Sequence, residues 1–163
     1  MTKIVGLDIS DNMVNEYNKN AERTGFSHKM AAQKGDLFAD NASTELPSPE
    51  FFDFDIVVVS MALHHFDNPG KALKCLGDRL KKGGVCVIVD LVPEHSDMMH
   101  GISSEVAETV KTHGFSLEQM KELLTGAGLT TDFGYQVVDE PLVFHKEGKK
   151  IQKTIFVAKA QRV

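Results

Sequence analysis

Cysteine is scarce in this 163-residue chain: Cys75 and Cys86 stand alone and form no C-x-x-C pair. So few exclude a thiolate zinc site and a disulfide framework, and make a reducing compartment the default. Positive charge is not in excess either. Lys and Arg number 18 against 23 Asp and Glu, a formal net charge of −5 with the two signs interspersed, which argues against an electrostatic grip on nucleic-acid phosphates or anionic lipid. No apolar run approaches the length that spans a bilayer. Met1-Thr2-Lys3-Ile4 enters an apolar stretch at once, without the layout of a signal peptide. The expectation is a cytoplasmic protein with no nucleic-acid partner and no membrane span.

The chain does have a 42% hydrophobic content, enough at this length for one domain with a real core. It is organised around Phe54-Asp55-Ile56-Val57-Val58-Val59-Ser60 and the Met61-Ala62-Leu63-His64-His65-Phe66 that follows. Ile56 to Val59 is a β-branched run with no polar face, which predicts a strand covered on both sides in the middle of a parallel sheet. Its carboxyl end, at Ser60 and the two histidines, is the edge where open α/β sheets bind ligands.

Elsewhere strands and helices alternate. Lys3 to Leu7 reads as a strand ending in Asp8, and Ser10 caps a helix with Met13, Val14, Tyr17 and Ala21 as its apolar stripe and Gly25 as its end. Met30 to Lys34 is a short strand closing on Gly35-Asp36-Leu37, and Asn41 to Glu50 an irregular connection. Asn68-Pro69 starts a helix with Leu73, Leu76 and Leu80 inward, closed by Lys81-Lys82-Gly83-Gly84. Val85 to Val89 is a buried strand ending in Asp90. Pro93 to Gly114 is a polar insertion with a short helix carrying Ile102, Val106 and Val110, and Ser116 to Gln119 is a capping box opening a helix with Leu117, Met120, Leu123 and Leu124. Two strands finish the chain, Thr130 to Val138 and Gln152 to Ala160, as an antiparallel edge hairpin. The sum is a mostly parallel α/β sheet with helices on both faces.

Three acids end or follow strands: Asp8, Asp36 and Asp90. A carboxylate there can accept hydrogen bonds from ribose hydroxyls or an adenine amino group, although turn chemistry alone also favours Asp at such positions. His64 and His65 have two readings as well: acid–base work on an acceptor, or a capping histidine beside one that packs on the core. His95, Asp97 and His100 fit no helical metal-ligand spacing, so no metal site is expected. Met98 and Met99 either line an apolar acceptor pocket or fill space.

Val5-Gly6-Leu7-Asp8-Ile9-Ser10, Gly35-Asp36-Leu37, the Phe54 to Phe66 stretch and Leu80-Lys81-Lys82-Gly83-Gly84-Val85, in that order, resemble the class I S-adenosylmethionine-dependent methyltransferases, and most closely the small-molecule branch that includes ubiquinone and menaquinone biosynthesis enzymes. The resemblance covers Lys3 to about Ala160. It implies a Rossmann-like single domain over residues 1–163, S-adenosyl-L-methionine as cofactor and a small organic acceptor. It assigns the ribose hydroxyls to Asp8 and the adenine to Ile9, Asp36 and Leu37. Ser60 and Met61 line the methionine arm, and His65 lies near the cofactor or acceptor, with His64 and His65 as the candidate catalytic pair.

The family's first strand and its acid-x-Gly-x-Gly-x-Gly loop have no counterpart in these 163 residues. That loop brings backbone close to the methionine portion of the cofactor, as only glycine permits, so the activity of this short form is in doubt. The missing strand belongs between the strands ending at Asp8 and Ser60. Unless those two pair directly, a strand from elsewhere must satisfy their exposed backbone, and a homodimer or strand-completing partner follows. The alternative reading is a non-catalytic methyltransferase-like module that associates with another chain. A nicotinamide-dependent oxidoreductase is disfavoured because no G-x-G-x-x-G occurs.

Overall fold

The computed structural model describes residues 3–37, 49–93, 112–146 and 149–163. They fall into two compact units, Met1–Ser48 and Pro49–Val163. In the first, β1 (Ile4–Asp8) and β2 (Met30–Lys34) run parallel, in register from Ile4 opposite Met30 to Asp8 opposite Lys34, with α1 (Asp11–Arg23) between them in sequence. The helix starts where the sequence sets it. Ser10 is extended and its hydroxyl accepts from the Met13 amide at 3.4 Å, satisfying one of the unpaired first-turn donors. Ala21 is buried, with Val14 and Tyr17 half-buried. Met13 is not core: it is 58% exposed, because Val14, Tyr17, Asn18 and Ala21 form the i, i+3, i+4, i+7 face and leave it one position off.

The second unit holds β3 (Phe54–Ser60), α2 (Pro69–Gly77), β4 (Leu80–Leu91), α3 (Leu117–Gly126), β5 (Leu129–Val137), β6 (Leu142–Lys146), β7 (Lys149–Lys153) and β8 (Ile155–Arg162). Its main sheet has the order β3-β4-β8-β5, with β3 parallel to β4 and β8 antiparallel to both β4 and β5. This is the expected α/β fold: parallel pairs β1/β2 and β3/β4, and an antiparallel pair at one edge. Between β5 and β8, where the sequence suggested only a connection, β6 and β7 form an additional antiparallel hairpin.

Period-two alternation decides which face is core. Along β4, Cys86, Ile88 and Asp90 are fully buried, as are Phe156, Ala158 and Ala160 of β8. They lie under α2, which contributes Ala72, Leu73 and Leu76, and α3, which contributes Met120 and Leu124. On the opposite face Ile56 is 44% and Val58 59% exposed, with Val85, Val87 and Val89 beside them half-buried. The expectation of a central strand covered on both sides is therefore corrected: β3 is the edge strand of its sheet, and among the described residues it pairs with β4 alone.

Both helix starts form as predicted. Asn68 caps α2 through the Lys71 amide with Pro69 at its first position, and at α3 the Ser116 and Gln119 side chains each accept from the other's backbone amide, completing the capping box. Leu117, expected on the apolar stripe of α3, is 43% exposed. Lys81 to Gly84 does not close α2, which ends at Gly77. Those residues belong to β4, where the register slips from Phe54 opposite Leu80 to Ile56 opposite Val85. Gly84 is required in this bulge: a Cβ there would sit 2.9 Å from the carbonyl oxygens of both Lys81 and Phe54, closer than real side chains tolerate. The expectations for Asn41 to Ser48, for His95 to His100 and for the Ile102 helix lie outside the described residues.

Candidate functional site

In the first unit the expected cofactor residues sit at the carboxyl ends of two adjacent parallel strands. The Gly35 amide donates to the Asp8 carbonyl at 3.1 Å, joining the turn after β1 to the turn after β2. Asp8 Oδ1 accepts from the Ser10 amide at 2.8 Å, so the carboxylate shapes the turn that starts α1. A carboxylate has about four acceptor sites, and this bond uses one. Ile9, next along, is 69% exposed, an apolar side chain held outward beside an acid. Asp36 and Leu37 are half-buried just past Gly35. Lys34 and Asp11 pair at 2.7 Å at the same end.

In the second unit the chain leaves β3 through an exposed Ser60. Met61 has φ +53°, a left-handed conformation that costs a non-glycine residue about 1–2 kcal/mol, and its amide donates to the Val89 carbonyl at 2.8 Å. A single 3-10 turn, Leu63–His65, follows, anchored by the fully buried Leu63. The two histidines then diverge. His64 is 5% exposed and Asp90 0%. Asp90 Oδ1 lies 2.6 Å from His64 Nδ1, and Asp90 Oδ2 accepts from the His64 amide at 3.2 Å. His65 is exposed, its ring centroid 4.0 Å from that of His64 at a 41° tilt.

Asp90 therefore does not offer its carboxylate at the strand end as the sequence suggested. β4 continues to Leu91, and Asp90 faces inward with Cys86 and Ile88. The signal was available in the alternation itself, since positions 86, 88 and 90 share one face.

The chain re-enters the described region beside this turn. The Thr112 amide donates to the His64 carbonyl at 3.2 Å and the Phe115 amide to the Leu91 carbonyl at 2.9 Å. Between them Gly114 has φ +122° and packs against the Leu91 carbonyl, leaving no room for a side chain. Tyr135 stacks on Phe156 and donates its hydroxyl to the Phe115 carbonyl at 2.9 Å, and burial raises its pKa. Next to the turn runs an open groove of about 560 Å³, with Phe66, Pro69, Phe115 and Leu123 as apolar lining and Asp67 and Glu122 as carboxylates. Sequence reasoning did not foresee this groove, because it depends on where α3 packs against the start of α2.

Among the described residues no three His, Cys, Asp or Glu side chains gather as a metal site, and no helix is long and apolar enough to cross a membrane. The first unit's residues fit the adenosine part of S-adenosylmethionine: an acid ends β1, an outward apolar residue follows it, and a second acid follows a buried Gly35. In the second unit Ser60 is exposed and Met61 is held in a strained conformation.

Comparison with known proteins shows the family and the fold. A Schizosaccharomyces pombe protein described as an uncharacterized methyltransferase is 30% identical over 132 residues, covering 78% of this chain and 46% of its own length. The chain thus spans less than half of that relative. Among solved structures, the YcgJ protein of Bacillus subtilis superposes with a TM-score of 0.66 at 17% identity, covering 99% of this chain and 83% of its own. The 4+2 cyclase SpnF does so at 0.63 and 17%, covering 98% and 66%. At such identities these two show the fold alone. The family model described as a methyltransferase domain matches residues 1–132, a span that holds every residue of both sets above, and the chain belongs to that methyltransferase family.

Proposed function

We propose that the chain transfers a methyl group from S-adenosylmethionine to a small organic acceptor. Asp8 takes the ribose hydroxyls, Ile9 and Leu37 pack on the adenine, and Asp36 accepts from its amino group. Ser60 and Met61 line the methionine arm. When bound, the cofactor supplies an electrophilic methyl on a sulfonium. Methyl transfer is an in-line displacement that depends on alignment and exclusion of water more than on proton transfer, so few side chains need act chemically. Of the two histidines, exposed His65 is the one able to meet an acceptor hydroxyl, while buried His64 is committed to Asp90. The groove beside Phe66 offers the acceptor an apolar bed with carboxylates along it.

The observation that carries this reading is the pair of acid-bearing turns at the ends of β1 and β2, joined by the Gly35–Asp8 hydrogen bond, inside the span matched by the methyltransferase family. Fold alone does not decide the reaction, since a cyclase shares it. Titration of S-adenosylmethionine into the purified chain by calorimetry tests the reading: saturable heat, lost in Asp8→Ala and Asp36→Ala, supports it, and no heat at millimolar cofactor ends it.

A second reading has its own observation. Among the described residues β3 pairs with β4 alone, which suits a module that completes its sheet with a strand from another chain. A concentration-independent monomer by light scattering counts against it.

A further inference from the structure

We infer that Asp90 is a positioning residue which, acting through His64, fixes the Ser60–Phe66 turn and with it the orientation of His65. The inference rests on the reading of that turn as part of the cofactor and acceptor site. Asp90 grips two different atoms of His64: one carboxylate oxygen meets the ring at Nδ1, 2.6 Å away, and the other accepts from the backbone amide at 3.2 Å. If Asp90 accepts at the ring as it does from the amide, the proton sits on Nδ1, and tautomer and ring plane are set together. The His64 carbonyl is taken by the Thr112 amide at 3.2 Å. With Nδ1, amide and carbonyl each bonded, His64 is held at three points, and the His65 ring lies against it at 4.0 Å.

Stability does not account for this pair. Polar and ionic partners lose solvation on burial, and an apolar pair of equal volume is commonly as stable or more so. What Asp90 and His64 supply beyond a Leu or Met pair is direction. The turn needs it, because Met61 is held at φ +53°, and a strained residue persists only where its surroundings over-determine it. The connection runs from Asp90 through His64 to His65 on one side, and through the turn to Met61 and Ser60 on the other.

The test uses the whole chain without ligand and with S-adenosylmethionine. Asp90→Asn keeps the shape but sets an amide N–H against either the His64 amide or its ring N–H. In the unliganded protein, amide exchange at Met61, His65 and Phe66 is expected to quicken at least tenfold, while the Ser116–Gln119 capping box is unchanged, and the nitrogen-15 signals of His64 lose the pattern of a ring protonated at Nδ1. The double variant His64→Met, Asp90→Leu is expected to stay folded yet show the same loosened turn, with cofactor affinity about tenfold weaker. Wild-type exchange rates in the turn of either variant, or a wild-type His64 protonated at Nε2, overturns the inference. Absence of cofactor binding by the wild-type chain counts against the cofactor reading alone, since the exchange and nitrogen measurements need no ligand.

Discussion

Asn18 and Ala32 exchange two hydrogen bonds: the Asn18 amide donates to the Ala32 carbonyl at 2.9 Å, and its oxygen accepts from the Ala32 amide at 2.8 Å. The side chain stands where the peptide of a further strand would, ties α1 to β2 and covers a stretch of β2 backbone. Each such bond contributes about 0.5–1.5 kcal/mol, so Asn18→Ala is expected to destabilise the first unit by about 1–3 kcal/mol and to speed exchange of the Ala32 amide. Denaturant titration and amide exchange check both. Asn18→Asp removes the donor and sets a carboxylate against a carbonyl, and is expected to be no better than Ala at neutral pH.

The two histidines separate in the same kind of experiment. His64→Ala leaves the Asp90 carboxylate buried without its ring partner, and removing one member of a buried pair costs about 3–5 kcal/mol. His65 is exposed, and His65→Ala is expected to change stability by less than about 0.5 kcal/mol while lowering methyl transfer. Thermal unfolding and a methyl-transfer assay on both variants check this division. A His65→Ala protein with unaltered turnover removes that residue from the chemistry.

Local rules made much of this fold legible. Ser10, Asn68-Pro69 and the Ser116–Gln119 box announce three helix starts because capping is a contact between near neighbours in sequence, and each bond is present. Relationships across the sheet were not legible in the same way. The β-branched run Ile56 to Val59 is compatible with a covered central strand or an edge strand, since composition does not say which neighbours exist. Gly83-Gly84 looked like a helix stop because both a helix end and a β-bulge call for glycine. In the site, an acid after Val87-Ile88-Val89 could face ligand or core, and because β4 runs on to Leu91 its alternation keeps Asp90 on the inward face with Cys86 and Ile88. The β6/β7 hairpin was missed because Leu142, Val143 and Phe144 are all partly exposed and show no alternation.

Burial raises the Cys86 thiol from its ordinary 9.0 to about 12. The folded state therefore holds the proton more tightly than the unfolded chain. The associated stability is fully present below pH 9 and is lost as pH rises toward 12, a loss on the order of 4 kcal/mol if the whole interval is traversed. Cys86→Ala is expected to flatten this alkaline decline in a pH series of urea denaturation. In the native protein Cys75, which is only half-buried, should react with a thiol reagent at pH 8 while Cys86 does so only after unfolding.

The β3 face supplies a test of what lies against it. Val58 is 59% and Ile56 44% exposed, so in an isolated chain Val58→Lys removes little buried apolar area, and an exposed site of this kind tolerates substitution within about 0.5 kcal/mol. A long charged side chain on an edge strand also discourages pairing with another chain. If the sheet stays open in solution, Val58→Lys leaves the unfolding midpoint where it was and only improves solubility. If another strand or chain covers the face, the same change buries an unpaired ammonium, and the midpoint falls and becomes dependent on protein concentration, because the lost free energy is then partly that of association. Thermal melts of wild type and Val58→Lys over a hundredfold range of concentration separate these cases. Stability of the wild type that rises with concentration and is abolished by Val58→Lys favours a module that associates with another chain through this face, whereas two flat, coincident curves leave the chain a monomer that must bind its cofactor alone.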